Sequence, residues 1–459
     1  MELLDSTLRE GEQTPGVSFS VEEKVEIAKS LDEFGIDIIE VGHPAVSPDV
    51  AKGCKAIVKE NLNAETLTHA RALKEDIQEA KETGSDWVGI FFGTSPLSLQ
   101  HKFHMEEAEA LETIASAVEY AKSLGFQVRY TPEDATRTEW PYLLKAMEVA
   151  EQAGADRISL ADTVGTATPW QMGELVSKTI ENVSVPVHVH CHNDYGMAVA
   201  NAMSSYQAGA HLIDVTVNGL GERTGITPLA PAVVALKTLF GVEKDWELGL
   251  LPELCHKVEK NSGIFNSEQA PVVGDYAFSH KAGLHTKAVL ENPETYEAIP
   301  PEIVHKQRQI VIDKYTGKAA VRSRLEEMGI TPDEDELSQI VQRVKDKADK
   351  SRFTDIDLLE ITDEVMDLDL RSRTPSEIEA MVSITLNSTS HTTRVTRKVI
   401  AFDEVNQIYE LTGESDILAH LRSSSIQGLN DLIEELRNIE GVKTTTTSMV
   451  LKDYQYKDD

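Results

Sequence analysis

The chain is poor in cysteine, in basic side chains and in long apolar runs. Its three cysteines, Cys54, Cys191 and Cys255, lie far apart and show neither CxxC nor zinc-ribbon spacing, so no disulfide framework is expected, and a reducing cytoplasm is the expected compartment. Lysine and arginine number 44 against 77 acids, a formal charge of −33 that repels nucleic-acid phosphates and anionic membrane surfaces. No basic patch offsets that charge, so neither nucleic acid nor a membrane is an expected partner. No apolar run approaches the roughly 18 residues of a spanning helix. The opening MELLDSTLRE carries acids where a secretion signal needs a basic and then an apolar stretch.

What is present is ordinary globular material. With 459 residues, 41% hydrophobic and 26% charged, the chain has the composition of several domains or of one large barrel with appendages. Eight short apolar or β-branched runs alternate with amphipathic stretches: Glu2–Asp5, Ile36–Val41, Glu65–His69, Trp87–Phe92, Gln127–Thr131, Arg157–Ala161, Val187–Cys191 and Leu212–Val217. Near-continuous apolarity is the mark of strands covered by helices. The repeat FGIDIIEV, TGSDWVGI, AGADRISL, AGAHLIDV places a glycine at each helix-to-strand junction, so Gly35, Gly84, Gly154 and Gly209 read as helix ends. Eight strand-then-helix units in about 250 residues predict a (βα)8 TIM barrel over 1–262. A mostly helical extension follows over 263–372. After the polar break RSRTPSE (Arg371–Glu377) comes a ferredoxin-like βαββαβ order over 376–459.

In such a barrel chemistry sits at the C-terminal ends of the strands. Those ends carry Arg9, Glu10, His43, His69, Arg129, Thr131, Glu133, Asp162, Thr163, His190, His192 and Asn218. His190 and His192, two apart on one strand, face the same side and, with one carboxylate from a neighbouring loop, would make a two-histidine, one-acid metal site with open positions. His188 shares that face at greater depth, and Cys191 alternates away from it. Asp5 reads as a structural partner of Arg9 or of a neighbouring strand. The loop GLGERTG (Gly219–Gly225) has Thr224 where a dinucleotide fingerprint needs its third glycine, and reads as a turn.

Four segments, DSTLREGEQTPG, HCHNDYGMAVANA, NGLGERTGITPL and AFSHKAGLH, together resemble the DRE-TIM metallolyase superfamily. The resemblance is to its Claisen-condensing branch of 2-isopropylmalate, citramalate and homocitrate synthases, and it covers about residues 1–370. It implies an acyltransferase with a divalent metal (Mg2+ or Mn2+, with Zn2+ as a further option), acetyl-CoA and a 2-oxo acid. Carried over, its metal ligands fall on Glu10, His190 and His192, and its 2-oxo-acid carboxylate binder on Arg9. Its catalytic base falls on His280, contributed across a dimer interface, with Glu133 as an orienting carboxylate. Three departures from the isopropylmalate pattern, Glu10 in place of aspartate, Ile226 in place of asparagine and His69 in place of serine, match the homocitrate-forming members. The implied acceptor is therefore 2-oxoglutarate, bound by Arg9, His69, Arg129 and Thr163, in the first step of lysine formation through 2-aminoadipate. Isopropylmalate or citramalate formation is the alternative. An acyl-CoA lyase would not need the AFSHKAG connector, and a bare ligand sensor would not need Glu10, His190 and His192. The tail resembles the effector-binding domain of Lrp/AsnC-type regulators, which implies sheet-mediated oligomerisation and a small-molecule site near Thr412–Asp416, with lysine as the expected effector.

Overall fold

A computed structural model describes the chain except residues 282, 349–352, 354, 369–377, 388–391, 414, 424 and 451–459. It divides into two compact units, Met1–Gly274 and Asp275–Asp459.

The first unit is a closed parallel barrel of eight strands. These are β1 (Glu2–Asp5), β2 (Ile38–Gly42), β3 (Glu65–Arg71), β4 (Trp87–Gly93), β5 (Gln127–Glu133), β6 (Arg157–Asp162), β7 (Val187–Cys191) and β8 (Leu212–Val215). Each falls on an expected run, but β8 stops at Val215 because the chain turns into a 3-10 segment, Val217–Gly219, with Asn218 at φ 61°. Helices start where the sequence supplies caps. Ser20 and Glu23 form a reciprocal capping box before Val21–Phe34, and that helix ends at Gly35 with φ 96°, a left-handed conformation that costs glycine little.

Inside the barrel, side chains stack in layers. Leu4, Ile38, Leu67, Trp87 and Leu212 form an apolar layer toward the strand starts. Two residues further along the same strands, on the same face, stand Glu40, His69, Gly89 and Asp214. The apolar layer lies between these groups and the strand starts, and His69 and Asp214 line a cavity with residues of the C-terminal mouth.

In the second unit, β9 (Ser279–His280) pairs in parallel with β10 (Gln309–Ile310). Helices Lys318–Glu327, Glu334–Ala348 and Asp355–Met366 then pack around Val321, Leu325, Leu337, Ile340, Val344 and Leu358. The tail forms an antiparallel sheet in the order β12-β13-β11-β14, from β11 (Ile378–Leu386), β12 (Val405–Glu410), β13 (Ile417–Ser423) and β14 (Val442–Met449). With helices Thr392–Val399 and Ile426–Arg437 this is the βαββαβ order expected. β11 begins earlier than the sequence suggests because its strict alternation of buried and half-buried positions extends back to Ile378. Met328, Ile330 and Leu359 of the helical extension join the tail's core. The break at Arg371–Glu377 lies outside the described residues. Among the described residues no helix is long and apolar enough to cross a membrane.

Candidate functional site

β7 delivers His190 at its end and His192 just beyond, both buried, with their Nε2 atoms 3.3 Å apart. Glu10 comes from the turn after β1, is 2% exposed, and brings Oε1 to 4.0 Å from His192 Nε2. One ligand atom from each of the three lies within 4.8 Å of the others, the one such group among the described residues. The His190 Nδ1 sits 2.8 Å from Asp214 Oδ2. That carboxylate fixes the proton on Nδ1 and turns the Nε2 lone pair toward His192 and Glu10. Burial pushes His192 down to about 3, so its imidazole is neutral. Glu10 stays ionised: burial opposes charge, but Arg9, helped by the Glu222 amide, outweighs it and holds the carboxyl below its usual range. Lone pairs facing one another in a dry pocket are a mismatch that a cation removes, so the donor set fits a divalent metal.

The rest of the mouth is an ionised network around Glu40. Its buried carboxylate accepts from Arg9 Nε at 2.7 Å and Arg129 Nη2 at 2.8 Å, lies 3.1 Å from His69 Nδ1, and also takes Ser6 Oγ. Burial raises Glu40, but Arg9, Arg129 and His69 hold it well below the usual carboxylate range. Burial and then Arg9 push His69 down to about 3. A neutral imidazole beside a carboxylate carries its one proton on the facing Nδ1, which leaves Nε2 an acceptor. Arg129 is 2% exposed, and its Nε and Nη1 make no hydrogen bond, Nη1 lying 3.9 Å from Asp214 Oδ2.

A cavity of about 270 Å3 joins these groups, and Arg9, Glu10, His43, His69, Arg129, Glu133, Thr163, His190 and His192 all line it. Thr163 Oγ1 accepts from the Asp134 amide at 2.8 Å, which leaves its hydroxyl proton to donate. Lys102 Nζ donates to both carboxylate oxygens of Glu133, at 2.8 and 2.7 Å. His280 lies in the second unit, where Glu297 Oε1 is 3.0 Å from its Nε2 and Arg308 in turn holds Glu297. Arg9 pairs with Glu10 and Glu40, whereas Asp5 accepts from the Thr7 amide, so the expected Asp5–Arg9 partnership is corrected. The GLGERTG loop is a turn that also works on the site, because the Glu222 amide donates to Glu10 Oε1 at 3.0 Å.

Sequence reasoning missed Glu40, Asp214 and Lys102. The first two carried a signal, since an acid inside IIEV or LIDV is an ionisable group in an otherwise apolar buried strand. Lys102 carried none. It belongs to an irregular turn, Ser98–Phe103, with i→i+5 geometry.

Three family models match the chain in order. Residues 1–258 match the HMGL-like family, 272–352 the homocitrate synthase post-HMGL domain-like family, and 379–458 the Lrp/AsnC ligand binding domain. A homocitrate synthase of Sulfurisphaera tokodaii is 45% identical over 98% of this chain and 99% of its own length. One from Sulfolobus acidocaldarius is 44% identical over 98% and 97%. Among solved structures, an HMG-CoA lyase of Bacillus subtilis superposes with a TM-score of 0.53 at 19% identity, over 57% of this chain and 94% of that one. A lyase from Acinetobacter baumannii, in complex with coenzyme A and 3-methylmalate, gives 0.53 at 20% identity, over 59% and 94%. Fold and relatives together define an acyltransferase-type barrel enzyme. Within that class, the chain belongs to the homocitrate synthase family.

Proposed function

We propose that the chain condenses acetyl-CoA with 2-oxoglutarate, giving homocitrate and CoA, in the first step of lysine formation through 2-aminoadipate. The observation that carries the choice of acceptor is Arg129, a buried guanidinium in the cavity whose Nε and Nη1 make no hydrogen bond. A buried donor left unmet costs roughly 1–3 kcal/mol, so the cavity favours an acceptor with a second carboxylate.

In this reading Glu10, His190 and His192 hold a divalent cation, Mg2+, Mn2+ or Zn2+. Bound there, it would act as a Lewis acid on the keto group of the 2-oxo acid. Arg9 uses three of its five N–H groups on Glu10 and Glu40 and keeps two for the carboxylate beside that keto group. Thr163 donates its hydroxyl proton to substrate, and His69, stacked 4.6 Å from Phe91, walls the pocket. His280 takes a proton from the acetyl methyl through Nδ1, since Glu297 occupies Nε2. The methyl carbon then bonds to the keto carbon, and water cleaves the thioester to release CoA. Glu133 and Lys102 form the cavity rim.

We further propose three parts, a catalytic barrel 1–262, a helical extension 263–372 and a regulatory tail 376–459, assembled as a cytoplasmic homodimer with lysine as effector of the tail. Of the Thr412–Asp416 turn, Glu414 lies outside the described residues, and the Asp416 carboxylate accepts from the Leu386 amide at 2.8 Å.

A CoA-release assay across 2-oxoglutarate, 2-oxoisovalerate, pyruvate and oxaloacetate tests the acceptor. 2-Oxoglutarate should turn over fastest, and faster turnover of 2-oxoisovalerate would sink the reading.

A further inference from the structure

The Arg129 guanidinium reaches its place in the cavity across a strand position that carries no side chain. β3, β4 and β5 share a register in which His69 is opposite Gly89 and Gly89 is opposite Arg129. Side chains at these positions point the same way, into the barrel, so a residue at 89 would stand between the imidazole and the guanidinium. A Cβ built on Gly89 would lie 2.6 Å from Arg129 Nη2, 3.0 Å from Cζ and 3.1 Å from Nε. Its absence lets the guanidinium cross β4 to Glu40 on β2, 2.8 Å away. Glu40 anchors the far end. Two buried guanidiniums, Arg9 and Arg129, repel each other, and this single carboxylate between them holds both. Neither Gly89 nor Glu40 lines the cavity, so Gly89 acts through Arg129, and Glu40 through Arg129 and Arg9 together.

A glycine inside a strand weakens it, and close approach of another group is one reason for it to be there. The Gly89 backbone is not left-handed, and the three nearest atoms an added Cβ meets all belong to the end of a flexible side chain. Gly89→Ala should therefore fold, with the displacement falling on the guanidinium.

We propose that Gly89 and Glu40 are positioning residues that set the preference for an acceptor with a second carboxylate, Gly89 by leaving room for the Arg129 guanidinium and Glu40 by anchoring it. This rests on the reading that 2-oxoglutarate is the acceptor.

The test is steady-state kinetics of Gly89→Ala with 2-oxoglutarate and pyruvate, together with calorimetric binding of 2-oxoglutarate. KM and Kd for 2-oxoglutarate should rise about 10- to 100-fold, while kcat and the pyruvate kcat/KM change by less than about threefold. An unchanged KM, or an equal loss with both acceptors, overturns the proposal. In a double-mutant cycle, Gly89→Ala added to Arg129→Lys should cost less than about twofold more, and additive losses would show that Gly89 does not act through Arg129. Glu40→Gln, which keeps shape and removes charge, should raise the 2-oxoglutarate KM by a larger factor than the pyruvate KM, because it loosens Arg9 for both acceptors and Arg129 for 2-oxoglutarate alone; an equal loss with both acceptors removes Glu40 from the proposal. An unfolded Gly89→Ala chain contradicts the claim that only a side-chain end is displaced, and Glu40→Gln then tests the anchor alone. A wild type without preference for 2-oxoglutarate over pyruvate sinks the acceptor reading itself. A preference that Gly89→Ala leaves untouched keeps that reading and removes this one.

Discussion

Strands β7 and β11 show two ways of using burial. β7, VHVHC, is buried at all five positions, whereas β11, IEAMVSITL, alternates buried and half-buried through nine. The barrel strand has helices outside and packed side chains inside, so even its polar groups are withdrawn from water. The open sheet packs its two described helices against one face and leaves the other to polar pairs such as Glu379–His420. The difference teaches where strong electrostatic tuning is available. His69 and His192 are driven to about 3 in the barrel, while Glu379 and His420 on the open face keep side chains 16% exposed, where solvent weakens an ion pair.

The sharpest way to break this contrast is to remove a metal ligand. Glu10→Gln or His190→Ala should lower turnover by about 10³-fold or more, since several kcal/mol of Lewis-acid stabilisation go with the metal. Metal content should fall with it while the circular dichroism of the barrel persists. Full activity in a metal-free preparation of either variant would refute the triad. Next comes His280→Ala, which should lose condensation by about 10² to 10⁴ yet keep 2-oxoglutarate binding by calorimetry. Wild-type turnover would take His280 out of the mechanism.

A smaller effect concerns barrel stability. Asp5 is 0% exposed, and burial drives its carboxyl up to about 7. Because the folded pKa lies above the unfolded one, the folded state binds the proton more tightly, and stability is lost as pH rises from about 4 through 7. Denaturant titrations at pH 5 and pH 8 should show the wild type losing on the order of a few kcal/mol relative to Asp5→Asn. A pH-independent difference would mean that Asp5 is charged throughout. The smallest expected effect belongs to the tail. Lysine acting there should inhibit the full chain without competing with 2-oxoglutarate, with a coupling of about 1–3 kcal/mol. Strictly competitive inhibition would instead place lysine in the barrel cavity.

Much of this molecule can be read along the chain, because burial on both faces writes itself as eight apolar runs and the HxH spacing of His190 and His192 survives in any strand. Arg9, Glu10, Arg129 and Thr163 were legible because they sit where barrel strands end, and β11 because one covered face enforces a period of two. The tertiary structure alone decided how these groups are paired. Glu40 is 89 residues from Arg129 yet holds it, Asp214 orients His190 from the next strand, and Lys102 takes Glu133 from 31 residues away. Nor does anything local in DWVGI distinguish Gly89 from a strand glycine without purpose. Hydrophobic periodicity is a local property, set by which face of each element is covered. Partnership between charges depends on barrel closure and register, which bring residues together from strands that are distant in sequence.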